Sequence, residues 1–331
     1  MTADDTTSLI AKAFVRGSPI RGLVLGGILL IAAIMVGTTI MANNFRERAL
    51  NSSERELENT VLLLARHFDQ QMEDSEVIQK DLLAHMRSSG VTTSEAFKRQ
   101  MSGRDIHLLL QSKMSALSYV GGITVFDADG QLINSSMAWP APPLNMADRP
   151  YFKTFKNDPH SPDMLIEPVH SRVTGVWTTV IALKLTGPNG EFLGVVGRGI
   201  EPARFEDFFA RVSLGDDAVI SMFHLHGTML ARYPHTESMI GRSFANAPLF
   251  RDILSKSDHG TMRLSSPVDG QDKLGSARRL SNFPIVVIAT TTVAAALAGW
   301  REQIRFLIAV AGLSVLVIAI MLILEIGRAH V

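Results

Sequence analysis

Two short motifs in this chain combine residue types and spacings that could bind a metal ion. His224-Leu225-His226 places two imidazoles on one face of an extended strand, and His235 is a candidate third ligand. Asp127-Ala128-Asp129-Gly130 begins like a calcium-binding loop, but the twelfth position is Ala138, where such loops have Glu. Both motifs also fit the tips of β-hairpins, and the incomplete ligand sets favour that interpretation. We therefore predict neither a metal site nor a cofactor.

The sequence contains no catalytic signature. G-x-S-x-G, H-E-x-x-H, Walker and G-x-G-x-x-G patterns are all absent, and the lack of Cys excludes disulfides and thiolate metal sites. The 32 basic and 32 acidic residues balance to a net charge of zero, without a basic run that would attract nucleic acid. We predict that this chain is not an enzyme. A membrane-tethered ectoenzyme and a purely structural membrane anchor are the competing function classes.

Two long apolar segments bracket the chain. Gly22–Ala42 has 21 residues without a charge and Phe306–Leu324 has 19, so each can cross a hydrocarbon core of roughly 30 Å as a helix. The first run exceeds the about 7–15 apolar residues of a signal peptide, which favours an uncleaved anchor. We predict a two-pass protein of the inner (plasma) membrane, with residues 43–305 extracytoplasmic (periplasmic) and the tail 1–21 in the cytoplasm.

The last seven residues, 325–331, have an unusual sequence. Glu-Ile-Gly-Arg-Ala-His-Val back-translates to a stretch that resembles a widely used sequencing adapter. We interpret it as an artefact that follows the second membrane helix, with a natural short tail as the alternative.

A helical stalk follows the first membrane segment, within residues 43–115. No Gly or Pro interrupts the sequence from Arg46 to Met86, and Gly90 is expected to end the helix. Thr92 and Glu95 have the spacing of a capping box for a second helix. The stalk carries one apolar stripe, which fits either a dimer seam or packing within the chain: Leu57, Val61, Leu64 and Phe68.

Beyond Tyr119 the pattern changes to strands joined by tight turns. Asp129-Gly130, Asn189-Gly190 and Asp269-Gly270 each lie between apolar runs. Such pairs predict hairpins with type I′ turns, in which both central residues have a positive φ.

An internal repeat divides this region. Phe126 precedes Gly130 by four residues, as Phe223 precedes Gly227, and matched prolines follow at similar distances: Pro150 and Pro168, then Pro248 and Pro267. The repeat predicts two related α+β modules, at 116–211 and 212–292, joined by a helix near Pro202–Arg211. Residues 293–324 are predicted to form one continuous signalling helix that becomes the second membrane helix.

Three motifs carry a resemblance to a known family: Asp148-Arg149-Pro150-Tyr151-Phe152, Arg172-Val173-Thr174-Gly175-Val176-Trp177 and Gly194-Val195-Val196-Gly197. Together with the layout over about 45–300, they resemble double Cache (dCache) extracytoplasmic sensors. The resemblance implies an α+β fold, with a long N-terminal helix and two tandem PAS-like modules between two transmembrane helices. It also implies a homodimeric receptor for a small-molecule ligand. The expected output is a GGDEF diguanylate cyclase, with a histidine kinase or chemoreceptor as the alternative.

The resemblance also implies a binding site in the membrane-distal module, 116–211. Arg149 and Tyr151 match the Arg-x-aromatic pair of the family's pocket. Members that bind amino acids have carboxylates at positions that correspond here to Ser171 and Gly199, so an amino-acid ligand is not expected.

The residues around that pair are basic instead. We predict that the ligand is a small organic anion, since guanidinium groups bind carboxylates through paired hydrogen bonds. The predicted ligand-binding residues are Arg149, Tyr151, His170, Arg172, Trp177 and Arg198. In the proximal module, Ala247 and Leu249 replace the polar pair, so that module is expected to relay a signal rather than bind a ligand.

Overall fold

The computed structural model describes residues 19–328 except 89, 116–120, 173–174, 213 and 216. Most of the predicted cytoplasmic tail and the end of the suspected adapter segment lie outside the described residues. The chain divides into two compact units. One combines Met1–Ser53 with Val293–Val331, and the other is Glu54–Thr292.

The first unit contains the apolar helices. α1 begins at Pro19 and continues to Ser88, and the C-terminal helix Ala298–Arg328 follows a short helix, Val293–Ala296. Two helices in the described part of the chain are long and apolar enough to cross a membrane. The indole Nε1 of Trp300 donates a hydrogen bond to the carbonyl oxygen of Ala42 at 2.9 Å. The predicted continuous signalling helix is interrupted at Leu297, where backbone hydrogen bonds from Leu297 to Val293 and from Arg301 to Leu297 bridge the break.

The second unit begins with the stalk part of α1 and contains two antiparallel five-stranded sheets. The first sheet has the strand order β2-β1-β5-β4-β3. Its strands are β1 Gly122–Asp127, β2 Leu132–Ser135, β3 Met164–His170, β4 Trp177–Thr186 and β5 Phe192–Ile200. Three helices accompany it: α2 Ser94–Met101, α3 Arg104–Ser115 and α4 Pro150–Asn157.

Helix α5, Pro202–Phe209, leads into a second sheet with the same topology, β7-β6-β10-β9-β8. Its strands are β6 Val219–His224, β7 Met229–Tyr233, β8 His259–Ser265, β9 Asp272–Arg279 and β10 Ile285–Thr292. A 3-10 turn at Glu237–Met239 and a π-helix at Leu249–Leu254 take the place of α4. The predicted α+β fold with two tandem PAS-like modules is confirmed.

The alternation of side chains along each strand assigns a role to each face of the first sheet. Ile123 and Val125 of β1 join a buried core with Phe97 of α2. Phe126, from the opposite face of β1, packs with Phe152 of α4. One face of the sheet is therefore covered by α2 and α3, and the other by α4.

The hairpin turns differ from the predicted type I′ geometry. A type I′ turn needs a positive φ at two successive residues, but none of the described non-glycine residues has one. In the first hairpin, the N–H of Gly130 donates to the carbonyl oxygen of Asp127 at 2.9 Å, and only Gly130 is left-handed, at φ +78°. The Asp-Gly pair thus marks the turn, but glycine alone supplies the left-handed residue.

The start of α2 is also shifted by one residue from the prediction. The N-cap is Thr93, whose side-chain oxygen accepts a hydrogen bond from the N–H of Ala96 at 3.2 Å. Thr93 has Ala96 three residues later, not Glu, so the observed start is a simple N-cap and not the predicted capping box of Thr92 and Glu95.

The apolar stripe of the stalk packs within the chain. Its four residues, Leu57, Val61, Leu64 and Phe68, are all at most 3% exposed. The ring of Phe68 makes edge-to-face contacts with Phe205, Phe208 and Phe209 of α5, at centroid distances of 5.6, 5.6 and 5.8 Å. Of the two alternatives for this stripe, the structure has intrachain packing against the helix between the modules.

Candidate functional site

A cavity of about 660 Å³, open to solvent, lies on the α4 side of the first sheet. Strand β1 contributes Thr124 and Phe126, and β5 contributes Gly197 and Gly199. A Cβ on Gly197 would lie 2.9 Å from Oγ1 of Thr124, so glycine there permits the close packing and leaves the wall without a side chain. Strands β1 and β5, which are neighbours in the sheet, therefore form one wall of the cavity.

Four of the six predicted site residues border this cavity: Arg149, Tyr151, Arg172 and Arg198. His170 and Trp177 do not line it. The positions that correspond to the carboxylates of amino-acid sensors do line it, with Ser171 and Gly199 as their occupants, and so does Val169.

Strand register explains the placement of His170, Trp177 and Arg198. Val169 pairs with Thr178 and faces the cavity, so the next pair, His170 and Trp177, projects from the opposite face.

Arg198 is likewise one residue out of phase with the cavity-lining glycines of β5. It pairs with Ile123, whose side chain belongs to the core under α2 and α3. Arg198 is among the residues that border the cavity, but it is only 2% exposed and its register directs its side chain to the other face of the sheet.

Trp177 instead packs against the second module. Its ring lies so close to Gly241 that a Cβ there would be 2.5 Å from the indole. The ring of His170 meets Trp177 edge-to-face at 5.9 Å. Trp177, which was predicted to bind the ligand, is thus a contact between the two modules.

Arg149 is the basic residue best placed to bind a ligand. It is the N-cap of α4, and its Nη2 donates to the carbonyl oxygen of His170 at 2.8 Å. Its Nε is buried and has no hydrogen-bond partner among the described residues. Buried donors normally have acceptors, so a ligand oxygen in the cavity would complete the coordination of this guanidinium.

Tyr151 lies two residues further on and is 3% exposed. Burial raises the pKa of its phenol to about 12, although the positive charge of Arg149 partly opposes that rise. The hydroxyl therefore stays protonated at neutral pH and remains able to donate a hydrogen bond.

Arg172 is already committed to a partner within the protein. Its Nη1 and Nη2 donate to the two carboxylate oxygens of Asp148 at 2.9 and 2.7 Å, and Nη1 also donates to the carbonyl oxygen of Asn145 at 2.8 Å. The hydrogen bonds to Asp148 raise the pKa of Arg172, and they lower the pKa of that carboxyl. Arg172 therefore closes the rim of the cavity without adding much net positive charge.

Glu201 is a lining residue that the sequence analysis misses. It follows β5 directly, is the N-cap residue of α5 and borders the cavity. It lies two residues after Gly199, so it shares the cavity-facing phase of the strand. Counting residues in steps of two from the family position would have found it. The cavity thus presents one carboxylate as well as Arg149.

The two imidazoles of the opening motif, His224 and His226, lie at the β6–β7 turn with ring centroids 4.9 Å apart. No group of three or more His, Asp or Glu suited to a metal ion occurs among the residues that the structure describes. His235 instead lies 2.8 Å from Oε1 of the buried Glu206 and 3.0 Å from Oε2 of Glu237. The hydrogen bond with Glu206 is the main cause that raises the pKa of His235.

Comparison with known proteins identifies the fold. The profile of the dCache_1_like family, described as a histidine kinase sensor domain, matches residues 202–290. The crystal structure of the extracellular domain of rpHK1S-Z16, described as a histidine kinase, is 31% identical with a TM-score of 0.65, and the match covers 76% of this chain and 99% of that one. The search of curated protein sequences returned no match.

Two chemoreceptor domains share the fold at low sequence identity. The periplasmic sensory domain of Campylobacter jejuni Tlp1 is 9% identical with a TM-score of 0.61, over 76% of this chain and 98% of that one. The ligand-binding domain of Pseudomonas aeruginosa PctB, solved with L-Gln, is 14% identical with a TM-score of 0.56, over 74% and 93% of the two chains. The fold, the two membrane-spanning candidates that flank it in sequence and the 31% identical sensor domain lead to one assignment. This chain belongs to the double Cache (dCache_1-like) family of extracellular ligand-binding sensor domains, as part of a two-pass inner-membrane receptor with its sensor in the periplasm.

Proposed function

We propose that the first module, about residues 116–211, is the membrane-distal ligand-binding module and that it recognises a small metabolite through a carboxylate group. The observation that carries the proposal is Arg149, which lines the cavity and whose buried Nε has no acceptor among the described residues. The protonated hydroxyl of Tyr151 would supply a second donor nearby. A guanidinium beside a neutral phenol suits a carboxylate ligand.

The first candidate ligand is a small organic acid. This is the anionic ligand that the sequence predicts, but among its three supporting arginines only Arg149 both lines the cavity with a suitable direction and lacks a carboxylate partner. Arg172 is neutralised by Asp148, and the side chain of Arg198 starts on the other face of the sheet. A single guanidinium suits a monocarboxylate better than a dicarboxylate.

An amino acid is the second candidate, and Glu201 is the observation that favours it. A zwitterion needs a cation for its carboxylate and an anion for its ammonium group, which Arg149 and Glu201 would supply from one cavity. PctB, which shares the fold, was solved with L-Gln.

Calorimetry on the whole chain in lipid nanodiscs would distinguish the candidates, with propanoate, succinate and L-alanine as probes. Arg149→Gln should lower the affinity for each carboxylate probe that binds, by about tenfold or more. Arg204→Gln, which removes an exposed arginine, is the matched control. Equal effects of the two substitutions would contradict the proposal.

Glu201→Gln separates the two ligand classes. It should weaken an amino acid by about tenfold or more, because the ammonium group loses its counter-charge. The affinity of this variant for propanoate should stay the same or increase, because the negative charge of Glu201 no longer repels the carboxylate in the cavity.

The output and assembly of the receptor form the rest of the proposal. The sequence analysis expects a homodimer with a diguanylate cyclase output, or alternatively a histidine kinase or chemoreceptor. The descriptions of the matching family and of the 31% identical structure support the histidine kinase alternative. Autophosphorylation of the full-length gene product with ATP would support a kinase, and synthesis of cyclic di-GMP would support the cyclase. Cross-linking in membranes tests the homodimer.

A further inference from the structure

The second module has a cavity of its own, of about 630 Å³. It occupies the same side of its sheet as the cavity of the first module, with Ser221 and Phe223 in the places of Thr124 and Phe126. The sequence analysis assigns this module a relay role because Ala247 and Leu249 replace the Arg-x-Tyr pair. Those replacements make one wall apolar, but they do not fill the space.

The body of this cavity is suited to an apolar group. Phe223 makes edge-to-face contacts with Phe244 and Phe250, at centroid distances of 5.7 and 5.4 Å, and all three rings line the cavity. Leu249, Leu264 and other aliphatic residues complete the wall. Pockets that combine an apolar wall with a few polar groups are typical binding sites.

Two cations line this cavity. Lys273 of β9 is 6% exposed, and Arg232 of β7 is half-buried. Register places both on the cavity face, because Arg232 pairs with the lining residue Ser221 and Lys273 pairs with the lining residue Leu264. These cations therefore face the cavity, unlike Arg198 of the first module.

Both cations keep hydrogen-bond donors for a ligand. Nζ of Lys273 donates to Asp269 at 2.8 Å, its one hydrogen bond among the described residues, and an ammonium has three donors. Nη1 of Arg232 donates to the carbonyl oxygen of Pro234 and to Oγ1 of Thr236, which leaves Nη2 and Nε.

Two carboxylates lie near these cations but outside the lining: Asp269 accepts a hydrogen bond from Lys273, and both Asp269 and Glu206 attract Arg232. Burial tends to raise the pKa of Asp269, but hydrogen bonds from Lys273, Ser266 and the N–H of Gln271 outweigh it and lower the pKa to about 2. This carboxylate stays ionised beside Lys273, while the lining itself has two cationic side chains and no acidic one.

From this geometry we propose that the second module is a separate binding site for a monocarboxylate with an aromatic or branched apolar body. The carboxylate meets Lys273 and Arg232, and the apolar body lies against Phe223, Phe244 and Phe250. The site is independent of the proposed carboxylate site of the first module, and either can exist without the other.

Calorimetry on the whole chain in lipid nanodiscs tests this proposal, with empty nanodiscs as the blank. The probe is 3-phenylpropanoate, and 3-phenylpropanol is its uncharged analogue. Lys273→Met should lower the affinity for 3-phenylpropanoate by about tenfold or more, because its carboxylate loses a charged partner. The affinity for 3-phenylpropanol should change by less than about twofold. Lys256→Met, an exposed lysine of the same module, is the matched control.

Ala247→Phe fills the cavity without a change of charge and should abolish binding of both probes. It also keeps the test valid if Lys273→Met perturbs the Asp269 contact. Three results would overturn the proposal: no binding of 3-phenylpropanoate to the unmodified chain, equal effects of the two lysine substitutions, or binding that survives Ala247→Phe and disappears with Arg149→Gln.

Discussion

Removal of the Phe68 side chain tests how the stalk is attached to the sensor modules. Phe68 is 1% exposed, and its ring contacts three phenylalanines of α5. A buried Phe→Ala substitution costs about 3–5 kcal/mol through lost burial and the cavity that remains. For a domain of about 150–250 residues, each kcal/mol shifts the unfolding midpoint by about 2–4 °C. Phe68→Ala should therefore lower the Tm by about 6–20 °C.

Leu63→Ala is the matched control, because Leu63 lies on the same helix and is 67% exposed. Its cost should be below about 0.5 kcal/mol. Thermal unfolding of the whole chain in nanodiscs, followed by circular dichroism, measures both variants. If the stripe were a seam between two chains, the effect of Phe68→Ala would depend on protein concentration. A loss of Tm no larger than that of Leu63→Ala would refute the reasoning.

Three further results are expected. Val169→Phe should lower the affinity for any ligand of the first cavity by about tenfold or more, while His170→Ala should change that affinity by less than about twofold. The reason is that adjacent residues of β3 face opposite sides of the sheet. Calorimetry measures both variants. The hydrogen bond with Glu206 raises the folded-state pKa of His235. This pair therefore contributes stability below about pH 6.5, and the contribution is lost as the pH rises through the raised pKa. His235→Gln should flatten that part of a Tm–pH profile. Gly130→Ala should destabilise the chain by more than about 1 kcal/mol in denaturant unfolding, because φ is +78° and the new Cβ would lie 2.6 Å from the backbone nitrogen of Ala147.

Sequence periodicity predicted the architecture well because its signals are long and redundant. The apolar segments, the stalk stripe and the matched Phe-to-Gly and Pro spacings each involve many residues, so a local error does not change the result. Details that depend on one residue were less predictable. Thr92 and Thr93 are both suitable N-cap residues, and the spacing to Glu95 pointed to the wrong one of the two. An Asp-Gly pair likewise fits more than one turn type.

The site shows the same limitation in a sharper form. A strand reverses the direction of its side chains at every residue, so an error of one position moves a residue to the other face. His170, Trp177 and Arg198 were chosen for chemistry close to the family positions, and each is one residue out of phase with the cavity. Glu201 has the correct phase but lies beyond the end of the strand.

Helix α5 is the element through which ligand binding in the first module would reach the rest of the sensor. Glu201 at its N-cap lines the first cavity, and Phe205 and Phe209 pack on Phe68 of the stalk. Glu206 accepts a hydrogen bond from the N–H of Arg232 at 3.3 Å, in the second module. One short helix thus contacts the cavity, the stalk and the second sheet.

This arrangement limits what a ligand can transmit. A ligand shifts the equilibrium between two conformations of the sensor only by the difference in its affinity for them. A ligand contact that is the same in both conformations therefore causes no shift. A ligand held only by Arg149 and Tyr151 would act through α4, while one that also contacts Glu201 would act directly on α5. Amino acids and simple monocarboxylates should therefore differ in efficacy as well as in affinity. Glu201→Gln should remove that difference, and Phe68→Ala should reduce the response of the stalk to both.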